Sequence, residues 1–164
     1  MLKNSQNNNS IIIFLLLLIS SNAAALGDKV SDGKVNVRLQ NNHLCFSVSN
    51  YTPRPAIWGK QFVDSNNLKL SYIGVSSSKY GYIWGVNIPA DQVGNGVTLS
   101  SKSCIEYGQN ISGYSIQKTA SSLKTGKYSV SIWGRDQEKN RAIVFVSAFA
   151  LDVTNGQLRI SKVD

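Results

Sequence analysis

Acid–base chemistry has few residues to draw on in this chain. His43 is the only histidine, so a Ser-His-acid site would need it as base. It stands at the mouth of a tight predicted hairpin, two residues before Cys45, and reads as a turn or edge residue. Asp136 and Glu138 are spaced like a carboxylate pair for glycoside hydrolysis. Arg135, Lys139 and Arg141 share their turn, however, and neighbouring cations keep both acids ionised rather than raising one pKa. The pair therefore reads as a solvated charged turn. No Gly-rich phosphate loop follows a strand. Two cysteines and one histidine do not make four metal ligands at a recognised spacing. The residues assign no catalytic group, no metal ligand and no cofactor, and the chain is expected not to be an enzyme.

Binding chemistry is better represented. The chain has three tryptophans. Trp58 lies in the longest irregular stretch, Ser49–Asn67, between Arg54 and Lys60 and close to Tyr51. Tryptophan, tyrosine and arginine are the residue types enriched at binding hot spots. Tyr51, Arg54, Trp58 and Lys60, with Arg135 and Arg141 from a second loop, are the candidate partner-binding residues. The competing reading folds Trp58 under to cap one end of the domain. Trp84 and Trp133 fall on predicted strands, where the core is the default location for so large a side chain.

The elements that must position these residues follow a leader. Lys3, the run Ile11–Ile19 and Ala23-x-Ala25 have the order of a cleaved secretory signal peptide. Nine apolar residues are too few to span a bilayer, which takes roughly 20. Removing residues 1–25 from the 164 leaves 139, one domain with room for its own core. Lys3 is the leader's only charge, so the remaining chain carries 16 Lys and Arg against 9 Asp and Glu. The excess gives solubility, or attraction to an anionic partner. The cations are scattered singly, so nucleic acid is not an expected partner. Leu26, Gly27 and Asp28 follow the cut with no cysteine, so no stable membrane anchor is expected. Export implies an oxidising compartment, and an even cysteine count there implies a Cys45–Cys104 disulfide.

From Val35 onward the hydrophobic period is two. Val35–Leu39 and Leu44–Val48 read as a hairpin across Gln40–Asn42. Leu68–Val75 and Tyr80–Val86 follow, the second with Tyr80, Tyr82, Trp84 and Val86 on one face. Val97–Leu99 and Cys104–Tyr107 read as one interrupted strand, and Ser121–Leu123 as a possible helical turn. Leu123-x-x-Gly126-x-Tyr128 before an alternating strand reads as a tyrosine corner, with the Tyr128 hydroxyl bonded back to the backbone. Arg141–Leu151 is the most apolar segment and reads as a central strand buried on both faces. Asn155-Gly156 predicts a type I′ hairpin into Leu158–Ile160. Seven to eight strands without a long helix predict an all-β, immunoglobulin/fibronectin-III-like sandwich over residues 26–164. Alternating strands would bring Ser49–Asn67, Ile88–Gly96 and Arg135–Asn140 to one end, and Lys79, Lys102, Lys118 and Lys124 to the other.

The order Leu44-Cys45-Phe46-Ser47-Val48, Ser71-Tyr72-Ile73-Gly74-Val75, Ser103-Cys104-Ile105-Glu106-Tyr107-Gly108, Leu123-Lys124-Thr125-Gly126-Lys127-Tyr128 and Val146-Ser147-Ala148-Phe149 resembles a family. Its members are small bacterial periplasmic proteins described as immunity proteins of type VI secretion systems. The resemblance spans roughly Val35 to Leu151. Members are usually lipoproteins, often with a further cysteine where this chain has Ala150. The resemblance implies a non-catalytic neutraliser of a cognate effector protein, a toxin, acting as a monomer or small oligomer. An envelope- or carbohydrate-binding module and a structural surface subunit are the alternatives. A sugar binder would show a planar row of exposed aromatics.

Overall fold

A computed structural model describes residues 32–49, 68–136 and 141–163, with the backbone alone for Arg141 and Lys162. All fall in one compact unit, Ser31–Asp164. The leader and the anchors Tyr51, Arg54, Trp58 and Lys60 lie outside the described residues.

The protein is an all-β sandwich. Its strands are β1 (Val35–Gln40), β2 (His43–Val48), β3 (Leu68–Ser77), β4 (Gly81–Asn87), β5 (Ile105–Glu106), β6 (Ser115–Lys118), β7 (Gly126–Asp136), β8 (Arg141–Thr154) and β9 (Gln157–Val163). They form a small sheet, β1-β2-β5, and a large one, β6-β4-β3-β7-β8-β9. Every pair within the sheets is antiparallel. Two hairpins turn on residues suited to positive φ. Asn41 and Asn42 stand at 50° and 63° between β1 and β2, and Asn155 and Gly156 at 50° and 76° between β8 and β9. Type I′ turns need positive φ at both central residues, and asparagine and glycine supply it most cheaply.

Alternation supplies the core. Leu70, Ile73, Val75, Val130, Ile132, Ile143 and Phe145 face inward from the large sheet, and Leu44 and Phe46 meet them from the small one. Phe46 joins the layers, its ring 6.4 Å from Trp84 and 6.2 Å from Phe149. The Cys45–Cys104 disulfide ties β2 to the segment entering β5 across 59 residues. Beside it Arg38 donates to Ser47 Oγ at 2.9 Å and to the Ser103 carbonyl at 2.8 Å. Tyr128 closes a corner, donating to the Lys124 carbonyl and accepting from the Lys124 amide at 3.1 Å.

Several local expectations are corrected. Strand β6 is one that periodicity does not signal, because all four of its residues are exposed. Ser121–Leu123 is irregular rather than helical. Tyr82 and Trp84 do not share a face. The register shifts between Val75 and Ser76, so Trp84 pairs with Val75 and Tyr82 with Ser76, leaving Ile83 as the extra residue of a bulge. Trp84 is therefore buried and Tyr82 exposed. Strand β8 is buried on one face only: Ala142 and Ala148 on the other face are exposed. Asp136 is a buried strand residue, not a solvated turn residue. Asp32 and Gly33 are tied to β8, the Val144 amide donating to Asp32 Oδ2 at 3.0 Å and the Val146 amide to the Gly33 carbonyl.

Candidate functional site

The outer face of the large sheet carries an aromatic row. Asn87 on β4, Tyr72 on β3, Trp133 on β7 and Val144 on β8 stand opposite one another in successive strand pairs. Trp133 was expected in the core but is 40% exposed. The reason lies in its own strand: Tyr128, Val130 and Ile132 take the inward positions, which leaves Ser129, Ser131, Trp133 and Arg135 outward. That phase is readable in the sequence, and it outranks the general preference of tryptophan for burial.

Two paired glycines, Gly74 and Gly85, make the hollow in which the tyrosines lie. A Cβ at Gly74 would collide with the Tyr72 hydroxyl, and one at Gly85 with the Tyr82 hydroxyl. Both rings therefore rest against the sheet, their hydroxyls 3.4 Å apart. Trp133 stands over Tyr72 edge-to-face, with centroids 5.4 Å apart and planes at 60°. Its Nε1–H donates to Ser131 Oγ at 3.0 Å, and Ser71 Oγ donates to the Trp133 carbonyl at 3.0 Å. Asn87 is held by Gln117 Nε2 at 2.6 Å. Burial, followed by the hydrogen bond with Tyr82, pushes the Tyr72 hydroxyl well above its ordinary pKa. These contacts fix the orientation of the row.

A groove of about 480 Å³ runs beside the row, lined by Tyr72, Trp133, Asn87, Ser71, Ala90 and Arg135 among others. Of the expected anchors, Arg135 is thus brought to the groove rim, half-buried and two residues from Trp133. Arg141 opens β8 opposite Asp136, one register position beyond Arg135. The groove wall at Ala90 and Val93 comes from the loop after β4. That loop is stapled to β3, where Leu70 donates its amide to the Val97 carbonyl at 2.8 Å and Tyr114 its hydroxyl to the Leu70 carbonyl at 2.7 Å.

A second concavity, about 340 Å³, lies where the β3–β4 turn meets the segment before β7. Lys118, Lys124, Tyr80, Tyr82, Ser121 and Ser122 line it. Tyr80 is 49% exposed, with the ammoniums of Lys79 and Lys124 at 5.4 and 5.1 Å from its ring centre. Lys102 does not join this group: it belongs to the loop held against Arg38 through Ser103. His43 sits exposed at the β1–β2 turn opposite Gln40. Among the described residues no three of His, Cys, Asp and Glu are grouped to hold a metal ion, and no helix is long and apolar enough to cross a membrane. No family model, curated protein or solved structure matches the chain.

Proposed function

We propose that this chain is a periplasmic immunity protein, an exported and non-catalytic sandwich that captures a cognate antibacterial effector and blocks it. The observation that carries the reading is the exposed Trp133, packed on Tyr72 with Arg135 at the rim of the same groove. An immunity protein needs a rigid scaffold and an anchor surface rather than a reacting group, and these are the residue types that dominate binding energy at protein interfaces. Side chains already held by Ser131, Ser71 and Gln117 lose little entropy on binding. The resemblance over Val35–Leu151 supports the same role. The disulfide fits an oxidising compartment.

The ring geometry weighs against the carbohydrate reading. Planes at 60° cannot both stack on one sugar face, whereas an edge-to-face pair makes a ridge suited to a protein pocket. The test is periplasmic expression of the effector encoded beside this gene, with and without this chain. Growth restored by the wild type, and by a His43→Ala variant equally, is the expected result. Killing that continues in the presence of the folded wild type would sink the proposal.

A further inference from the structure

We infer that the cleft between the Ser78–Tyr80 turn and the Ser121–Lys124 segment is a phosphate site, and that its ligand is the headgroup of an anionic phospholipid. This site adjoins the proposed effector-binding surface at Tyr82 but differs from it in chemistry. Lys118 and Lys124 line the cleft, and no Asp or Glu does. Lys79 adds a third ammonium, 5.4 Å from the centre of the Tyr80 ring. The cleft therefore concentrates positive charge, and among the described residues that line it none is a carboxylate. Ser121 and Ser122 are exposed on its wall and offer hydroxyl donors to phosphate oxygens.

Rigidity separates this cluster from lysines scattered elsewhere. Ser121 is fixed from two sides, its amide donating to the Ile83 carbonyl at 3.1 Å and its carbonyl accepting from the Tyr107 hydroxyl at 2.7 Å. Lys124 is fixed by both backbone bonds to Tyr128. Cation–π contacts with one shared ring hold two ammoniums together that would otherwise repel. Tyr80 stands exposed at a turn, within reach of both. An exposed tyrosine bracketed by lysines is suited to the membrane–water interface, where an amphipathic ring sits at headgroup level. The lipid is favoured over a soluble phosphate ester because Tyr80 adds an apolar contact that a small anion does not use.

The probe is co-sedimentation with vesicles of equal parts phosphatidylcholine and phosphatidylglycerol, read against pure phosphatidylcholine. Every variant keeps the same N-terminus, so residues 1–25 contribute equally throughout. Wild type should bind the mixed vesicles and release as salt shortens the screening length. Each lysine near an anionic surface contributes about fivefold to the partition coefficient, so Lys118→Ala/Lys124→Ala should lose about 25-fold. Lys34→Ala/Lys102→Ala, which removes the same charge elsewhere, should lose much less. Equal losses from the two double variants would reduce the effect to net charge and overturn the site. Undiminished binding by Lys118→Ala/Lys124→Ala would overturn it as well. Inorganic phosphate is the second probe, read by NMR shifts of the Tyr80 ring. Shifts that vanish in Lys118→Ala/Lys124→Ala, together with vesicle binding, support the lipid. The same shifts without vesicle binding refute the lipid as the source.

Discussion

The aromatic row and the Tyr80 cleft meet at Tyr82, which touches Tyr72 through its hydroxyl and also lines the cleft. They nevertheless differ in almost every physical respect. The row lies on the middle strands of the large sheet, backed by the core, and its adhesive surface is ring and methylene. The cleft lies at a turn and a strand entrance, and its adhesive surface is ammonium and hydroxyl. A surface of the first kind gains by excluding water and is nearly indifferent to salt. A surface of the second kind acts at longer range and is screened by salt. One sandwich can thus offer two partners two separately tunable surfaces.

The largest expected effect falls on both regions together. Removing the Cys45–Cys104 bridge frees the segment leading to β5 and lengthens the unfolded chain's freedom across 59 residues. A Cys45→Ala/Cys104→Ala variant should lose about 4 kcal/mol of stability, a fall of about 10 °C or more in melting temperature. Calorimetry on oxidised protein and the variant checks this. Unchanged melting would mean that packing around Phe46 suffices without the bridge.

The next effect separates the regions. Trp133→Ala should weaken effector binding at least about thirtyfold, as truncating a central aromatic anchor does. Its melting temperature should barely move, because the side chain is outside the core. Vesicle binding through the Tyr80 cleft should be unaffected. If titration calorimetry instead found normal effector affinity in Trp133→Ala and a loss in Lys118→Ala/Lys124→Ala, the two surfaces would exchange roles.

The smallest effect concerns alkaline pH. Burial pushes the Tyr107 hydroxyl from 10.0 up to about 12. In the unfolded chain this phenol ionises near its ordinary value, so between those two values the unfolded state releases a proton that the folded state keeps. The stability tied to neutral Tyr107 is whole below about pH 10 and lost as pH rises through about 12. Above that point the phenolate no longer donates to the Ser121 carbonyl, so the wall of the cleft loosens. Tyr72 is raised further, so the row should hold to higher pH. Melting curves between these limits should slope downward in wild type and more gently in Tyr107→Phe. Parallel curves would remove Tyr107 from the account.

Much of this fold is legible in the chain, for reasons particular to each element. Asn155-Gly156 encodes its turn because few residue pairs tolerate positive φ twice. The Cys45–Cys104 pairing is legible because the chain has two cysteines and so only one possible bridge. Strand β6 is illegible because an exposed edge strand buries nothing, and burial is what writes a period into a sequence. The face of Tyr82 is illegible because a one-residue bulge at Ile83 inverts everything on one side of it. Trp133 lay between these cases. The inward phase of Val130 and Ile132 was visible, but the size of the indole drew the expectation toward the core. The anchors first expected in the loop at Trp58 lie outside the described residues, and Arg135 alone brings a described side chain from that set to the groove.

The sequence by itself determined the class of the protein: strands rather than helices, two asparagine-rich turns, a bridge between its two cysteines, and few residues suited to acid–base catalysis. Those properties are local or combinatorial, set by backbone sterics, side-chain alternation and counting. Only the tertiary structure decided which surfaces the chain presents. Tyr72 and Trp133 are 61 positions apart and become neighbours through the β3–β7 register. Lys79 and Lys124 meet on the Tyr80 ring, and Lys118 lines the same cleft, because a turn, an edge strand and a strand entrance end at the same place. Register and strand order are properties of the whole packed sandwich, since a strand's neighbours are chosen by the sum of contacts across both sheets and not by the strand's own residues.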